Sequence, residues 1–273
     1  MIKSIFLLGK FAGFFLFLFL SVTLWVCLAQ AGEPVFEAVD IPAQKFFTGE
    51  KLVYQIKYLG IPVGEGVAEV REITTVRGHQ AYHVIVNVRS YPSLDLLYKV
   101  RDEHHSFIDV RSLSSLEYHK NIKEGRREAE ETIEFDQEKQ TAVVSSKKHK
   151  ENKTVPTIMG VQDQLSCGYW FRTLKVAPQS SVKIPVYADE KNWNVEVKIG
   201  KTKEMRIKNI GVFQAVEAEP VMPFEGIFGR SGRIRGWISL DERRIPLKMK
   251  VKIPVLGHVT AELSSYEAGK APA

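Results

Sequence analysis

Past residue 49, apolar and polar residues alternate along most of the chain, the period-two signature of strands with one buried face. Leu52, Tyr54, Ile56 and Tyr58 fall on one face, with Lys51, Gln55 and Lys57 opposite. Tyr82, Val84, Val86 and Val88 repeat the pattern, and Leu247, Met249, Val251 and Ile253 alternate without a break with Lys248, Lys250 and Lys252. Turn chemistry separates these runs at short intervals: Arg77-Gly78, Asp136 to Lys139, Asp241 to Arg244 and Leu256-Gly257 read as reversals. Gly200-Lys201, between Asn194–Ile199 and Thr202–Ile207, reads as a two-residue hairpin loop. Ser145 to Lys153 reads as a polar, lysine-rich loop. Many short strands joined by tight turns predict a mainly β fold, an antiparallel meander curled into an open or closed barrel so that its edges are protected.

One segment departs from this period. Cys167, Trp170, Phe171 and Leu174 stand at i, i+3, i+4 and i+7, an apolar stripe that predicts a helix over about 163–175, packed on the sheet. Asp163 is placed to cap its start and Pro178 lies beyond its end. Gly168 within it suggests close approach to another backbone, and Asp163 with Arg172 is read as a cap plus an ion pair of the packed helix.

The first 31 residues follow another rule. Lys3 and Lys10 precede and open an apolar run, Phe11 to Val26, that leads to Ala29-Gln30-Ala31, and no acidic residue occurs before Glu33. This is the pattern of a cleavable export signal over residues 1–31. The alternative is an anchor of residues 11–29 in the inner membrane. Cleavage leaves an extended lead-in (32–48), a single β-rich domain (49–267) and a tail (268–273) in the periplasm or cell envelope. It removes two of the charges behind the net +6, and the mildly basic remainder gives no reason to expect nucleic acid as a partner. Cys27 leaves with the signal, so Cys167 has no internal disulfide partner and reads as a small buried hydrophobe.

Chemistry-bearing motifs are sparse. His104 and His105 follow Asp102-Glu103, but adjacent strand residues face opposite ways and cannot easily share a metal ion. Ser166-Cys167 lacks the glycine-flanked elbow of a hydrolase nucleophile. Gly226, Gly229, Gly232 and Gly236 lack the lysine and hydroxyl ending of a phosphate loop and read as a connection between strands. Phe224, Ile227 and Phe228 beside Arg230, Arg233 and Arg235 suit a buried loop with a basic rim, or peripheral contact with a membrane surface or a partner protein. Pairing of Arg233–Leu240 with Ile245–Ile253 gathers Arg233, Arg235, Trp237, Lys248, Lys250 and Lys252 on one face, a candidate surface for an anionic ligand or a protein partner. A solvated face that discourages sheet aggregation is the competing reading. No catalytic residue, metal site or cofactor is expected.

With these segments in place the chain resembles the bacterial family named domain of unknown function 3108. The resemblance is carried by Gly49-Glu50-Lys51-Leu52-Val53-Tyr54 and Gly64-Glu65-Gly66, then Asp163-Gln164-Leu165-Ser166 with Tyr169 and Arg172. It continues through Ile238-Ser239-Leu240-Asp241-Glu242-Arg243-Arg244-Ile245-Pro246 and the final strand from Gly257 to Leu263. It implies an envelope-associated β-rich domain and supplies no catalytic residues. Two functions fit this reading: a non-enzymatic binding protein for a lipid or other hydrophobic ligand, held inside the curled sheet, or an assembly factor that binds another envelope protein through the basic face.

Overall fold

A computed structural model of the chain describes residues 46–147, 151–221, 233–253 and 257–270. The first eight strands form one meander: β1 (Lys51–Tyr58), β2 (Ile61–Val76), β3 (His79–Ser90), β4 (Arg101–Asp109), β5 (Ser115–Glu124), β6 (Arg127–Asp136), β7 (Thr141–Ser146) and β8 (Lys153–Pro156). A short helix, α1 (Ser166–Arg172), follows. A second meander comprises β9 (Ser181–Ala188), β10 (Lys191–Ile207), β11 (Gly211–Val221), β12 (Arg233–Ser239), β13 (Pro246–Ile253) and β14 (Gly257–Glu267). β14 pairs with β1, so all fourteen strands belong to one antiparallel sheet whose edges are β8 and β9.

Among the described residues the sheet does not close by strand pairing. The chain itself crosses between the edges, because the connection from β8 to β9 carries α1. Gln162 pairs with the outer side of β9: its N–H donates to Pro185 O and its carbonyl accepts from Tyr187 N–H, both at 2.8 Å. The Gln162 side chain donates to Leu113 O on the turn after β4 at 3.0 Å. A strand edge that would otherwise present unpaired backbone groups is thereby covered.

The alternation seen in sequence sets the faces. Tyr82, Val84, Ile108, Tyr118 and Ile133 point into one buried cluster with Phe46 and Tyr169. Ile184, Val186, Val195 and Val197 form a second with Phe171 and Leu174. Helix α1 therefore packs against both clusters, through Tyr169 and Phe171. Seven residues are too few for a helix to persist alone in water, so this packing holds it. A third cluster joins Leu52, Tyr54, Leu247, Ala261 and Leu263 where the two meanders meet.

The turns at Arg77-Gly78 and Asp241 to Arg244 lie where expected, and Arg77 and Gly78 both take the positive φ of a tight hairpin turn (45° and 87°). Asp136 Oδ1 accepts from Lys139 N–H in the β6–β7 turn. Gly200-Lys201 is not a reversal. β10 runs through it, and a register shift between Ile199 and Thr202 marks a bulge opposite β11. Gly-polar pairs serve both purposes, and a Cβ at Gly200 would lie 3.0 Å from the Glu217 side chain. The true reversal is at Lys208–Ile210, where Asn209 takes φ 63°. The loop expected over Ser145–Lys153 is shorter, since Ser145 and Ser146 end β7 and Lys153 starts β8.

The export signal (1–31) or anchor (11–29), most of the lead-in, Leu256, the end of the tail, and the Phe224 to Gly232 loop residues lie outside the described residues. Among the described residues, no helix is long and apolar enough to cross a membrane.

Candidate functional site

Between α1 and the sheet lies a cavity of about 290 Å³. One wall comes from the first meander: Leu52, Tyr54 and Ile56 of β1, Gly66 and Ala68 of β2, and Val86 and Val88 of β3. The other comes from Ile184 and Val186 of β9, Val195 and Val197 of β10, and Ala218 of β11, with Gly236, Met249 and Ala261 between them. Leu165, Cys167 and Phe171 face it from the helix segment. The space exists because small residues stand where a packed core would have large ones. Gly66, Ala68, Ala218, Gly236 and Ala261 all line it, and native interiors otherwise leave few voids larger than a water molecule.

Gly64 fixes the β2–β3 wall. A Cβ there would lie 2.4 Å from Arg89 O, so any side chain would drive the strands apart. Gly66, two residues on, is different: its Cβ would meet Ile56 Cδ1 at 3.6 Å, an ordinary contact.

Two polar devices hold the helix over the cavity. Asp163 is fully buried; its Oδ1 accepts from the N–H groups of Leu165 and Ser166, both at 2.7 Å. Ser166 Oγ accepts from Asp163 N–H at 2.8 Å, completing a reciprocal cap. Asp163 Oδ2 accepts from Ser106 Oγ of β4 and Ser115 Oγ of β5, both at 2.6 Å, which ties the cap to the sheet. Burial pushes the Asp163 carboxyl pKa upward, against the hydrogen bonds that hold it down.

The second device is Arg172. Its guanidinium forms a bidentate pair with Glu50, both bonds 2.7 Å, with both side chains buried. It also donates to the carbonyls of Arg243 (3.0 Å) and Arg244 (3.1 Å) and lies over the rings of Phe46 and Tyr169. Burial opposes the charged guanidinium, but the Glu50 carboxylate outweighs it and holds the Arg172 pKa above its usual value. Asp163 and Arg172 are thus not partners: each satisfies its own set of groups, on different walls. The short motifs Gly49-Glu50, Asp163 to Ser166, Arg172 and Arg243-Arg244 converge on this one helix. The helix is also shorter than the stripe suggests, Ser166–Arg172, and Leu174 packs from the turn beyond it.

Cys167 is half-buried against the cavity, and burial pushes its thiol up to about 12, which disfavours the thiolate. Gly168 meets no other backbone; a Cβ there would have nothing within 4 Å. Trp170 packs against both buried clusters beside the helix. His104 faces inward and its Nδ1 lies 2.7 Å from the Tyr118 hydroxyl, while His105 faces outward against His83 at 2.9 Å. Desolvation lowers the His104 pKa to about 4. Among the described residues, no three His, Cys, Asp or Glu side chains converge as metal ligands.

The register brings the six residues of the proposed basic face together, with Arg233 opposite Lys252, Arg235 opposite Lys250 and Trp237 opposite Lys248. Acidic residues of neighbouring strands meet them. Arg233 pairs with Glu219, Arg235 with Glu217 and Glu219, and Lys248 with Glu262. Trp237 is buried to 8% exposure, with Lys203 Nζ 4.2 Å from its ring centre.

Sequence reasoning placed a ligand inside the curled sheet but missed the residues that line the cavity, Glu50 as the partner of Arg172, and the serines that bind Asp163. The first two had a signal: glycine and alanine recurring at inward strand positions, and an acidic residue in the Gly49-Glu50 motif.

A solved structure described as a β-barrel-like protein of domain of unknown function DUF1849, from Brucella abortus, shares the fold. The TM-score is 0.51 at 12% identity, covering 83% of this chain and all of that one. The hypothetical protein CT021 from Chlamydia trachomatis gives a TM-score of 0.34 at 10% identity, over 83% of this chain and 90% of that chain. No curated protein matches the chain. The family description "Protein of unknown function (DUF3108)" matches residues 53–264, most of the sheet together with α1, and the chain belongs to that family.

Proposed function

We propose that this protein is an exported, non-enzymatic binding protein for a lipid or other hydrophobic molecule of the bacterial envelope. The observation that carries the reading is the apolar cavity left open beneath a helix that two buried polar devices hold in place. A volume of 290 Å³ has room for about ten atoms of water size, the bulk of a single acyl segment. Burying about ten methylenes gains roughly 8 kcal/mol in transfer from water. Part of that is lost to immobilisation, so the expected dissociation constant is about micromolar or weaker.

The test is titration of the full chain with dansyl-labelled undecanoic acid. Saturable emission at one probe per chain, displaced by unlabelled fatty acid and weakened about tenfold or more in Gly236→Leu, is the expected result. Binding that is indifferent to a side chain placed in the cavity would refute the reading. Location is tested separately, by fractionating cells that express the full chain. Recovery in the periplasm with the mass of residues 32–273 supports export and cleavage; full-length protein in the cytoplasm overturns both. The alternative role, an assembly factor acting through the β12–β13 cations, gains no specific support, because Glu217, Glu219 and Glu262 face those cations.

A further inference from the structure

The turns at one end of the sheet expose large apolar side chains. The β1–β2 turn presents Leu59 and Ile61, 53% and 65% exposed, and the β3–β4 connection presents Leu96 and Leu97, 96% and 81% exposed. These turns are neighbours: Tyr91 N–H donates to Val63 O at 3.0 Å, and Gly64 pairs with Ser90. The β5–β6 turn joins them, since Gly125 N–H donates to Lys99 O at 2.8 Å and the Tyr98 ring sits against Gly125.

The β3–β4 connection is held by its own hydrogen bonds. A single 3₁₀ turn at Pro92–Leu94 leads into it, and Leu97 and Tyr98 both donate to Leu94 O, at 2.9 and 3.0 Å. Asp95 then clamps the base by accepting from Ser90 Oγ and Arg101. Two adjacent leucines are thus fixed outward, not left in a loose loop. Cations outnumber acids in these turns: residues 57–65, 89–101 and 123–127 carry seven lysines and arginines against three acidic residues, and Lys57, Arg101 and Arg127 are paired with Glu262, Asp95 and Glu124. Lys99 and Arg126 are exposed beside the leucines.

We infer that this end of the sheet docks on an anionic lipid bilayer, with Leu96 and Leu97 entering the interface and Lys99 and Arg126 meeting the headgroups. Exposed apolar side chains on turns that also present Lys99 and Arg126 combine the two contributions to interfacial binding, apolar burial and attraction to anionic headgroups. The electrostatic part acts within a Debye length of the surface and so weakens with salt. The inference goes beyond the cavity's role and stands independently of whether the cavity is filled.

The experiment places an environment-sensitive fluorophore on the full chain through Leu97→Cys, in a background of Cys27→Ser and Cys167→Ala. A matched label at Lys208→Cys, in the β10–β11 turn at the opposite end, serves as the control. With vesicles of phosphatidylethanolamine and phosphatidylglycerol, the label at 97 is expected to shift to shorter wavelength while that at 208 stays water-like. The vesicle concentration at half-shift should rise at least fivefold in Lys99→Glu/Arg126→Glu, or on replacing phosphatidylglycerol with phosphatidylcholine. No shift at 97 under saturating vesicles overturns the inference. So does a shift that needs only higher protein concentration, which would assign the tip to a second copy of the chain. The readout reports the tip itself, so any attachment through residues 1–31 does not confuse it.

Discussion

Removing either partner of the Glu50–Arg172 pair is expected to cost far more than removing both. Glu50 is 3% exposed and Arg172 8%. In Glu50→Leu the guanidinium stays buried between Phe46 and Tyr169 without its carboxylate, and a stranded buried charge costs about 3–5 kcal/mol. Arg172→Met strands Glu50 in the same way and also frees the carbonyls of Arg243 and Arg244, so its cost should be at least as large. The double variant removes both charges and fills the space with apolar atoms. Its loss should be no greater than that of one single variant, a coupling of about 3 kcal/mol or more. Urea unfolding followed by tryptophan fluorescence measures this, and Trp170 lies on α1 itself. For a domain of this size each single change should lower the melting temperature by roughly 10 °C. Single losses below about 1 kcal/mol, or losses that simply add in the double variant, would refute the claim that this pair fixes the helix on the sheet.

Asp163 should separate shape from acceptor capacity. Asp163→Ala leaves two serine hydroxyls and two N–H groups buried without their acceptor and should cost about 3 kcal/mol or more by urea unfolding. Asp163→Asn keeps an acceptor for the helix N–H groups, and the rotating hydroxyls can accept from its amide, so its cost should be about 1 kcal/mol. His104 predicts a pH effect. Its folded pKa of about 4 lies below the ordinary 6.5, so the unfolded chain binds the extra proton in that window and stability falls as pH drops from 6.5 towards 4. The loss reaches roughly 2–3 kcal/mol by pH 4.5. Asp102, raised to about 6 by desolvation, acts in the opposite sense, so the His104 part must be read as the difference between wild type and His104→Asn. An equal change in unfolding free energy between pH 7 and pH 4.5 for both proteins would contradict it.

Most of the sheet was legible because its signal is local. The runs Leu52 to Ile56, Tyr82 to Val88 and Leu247 to Val251 announce both strand and face, and Arg77-Gly78 announces its turn. Gly200-Lys201 misled because a glycine followed by a polar residue suits a bulge as well as a hairpin. Only the partner strand, with Glu217 against Gly200, decides between them. The stripe from Cys167 to Leu174 revealed the helix, but its anchor did not follow: Glu50 and Arg172 are 122 positions apart. The cavity was hidden for a related reason. Gly66, Ala218, Gly236 and Ala261 lie on four different strands, and none of them alone marks a cavity. Their coincidence requires the register, which no single stretch of sequence contains.

The central claim is that the space under α1 holds a hydrophobic ligand. Native mass spectrometry of the protein purified from a bacterial envelope fraction tests it most directly, with solvent extraction of whatever is bound and with Gly236→Leu purified in parallel. A Cβ at Gly236 would come no closer than 3.7 Å to Ala218 O, so the variant fills the cavity without driving the strands apart. The account predicts a reproducible apolar adduct on the wild type, lost on denaturation and absent or strongly reduced in Gly236→Leu. A clean unliganded mass for the wild type under gentle ionisation, or an adduct that persists unchanged in the filled variant, would contradict it.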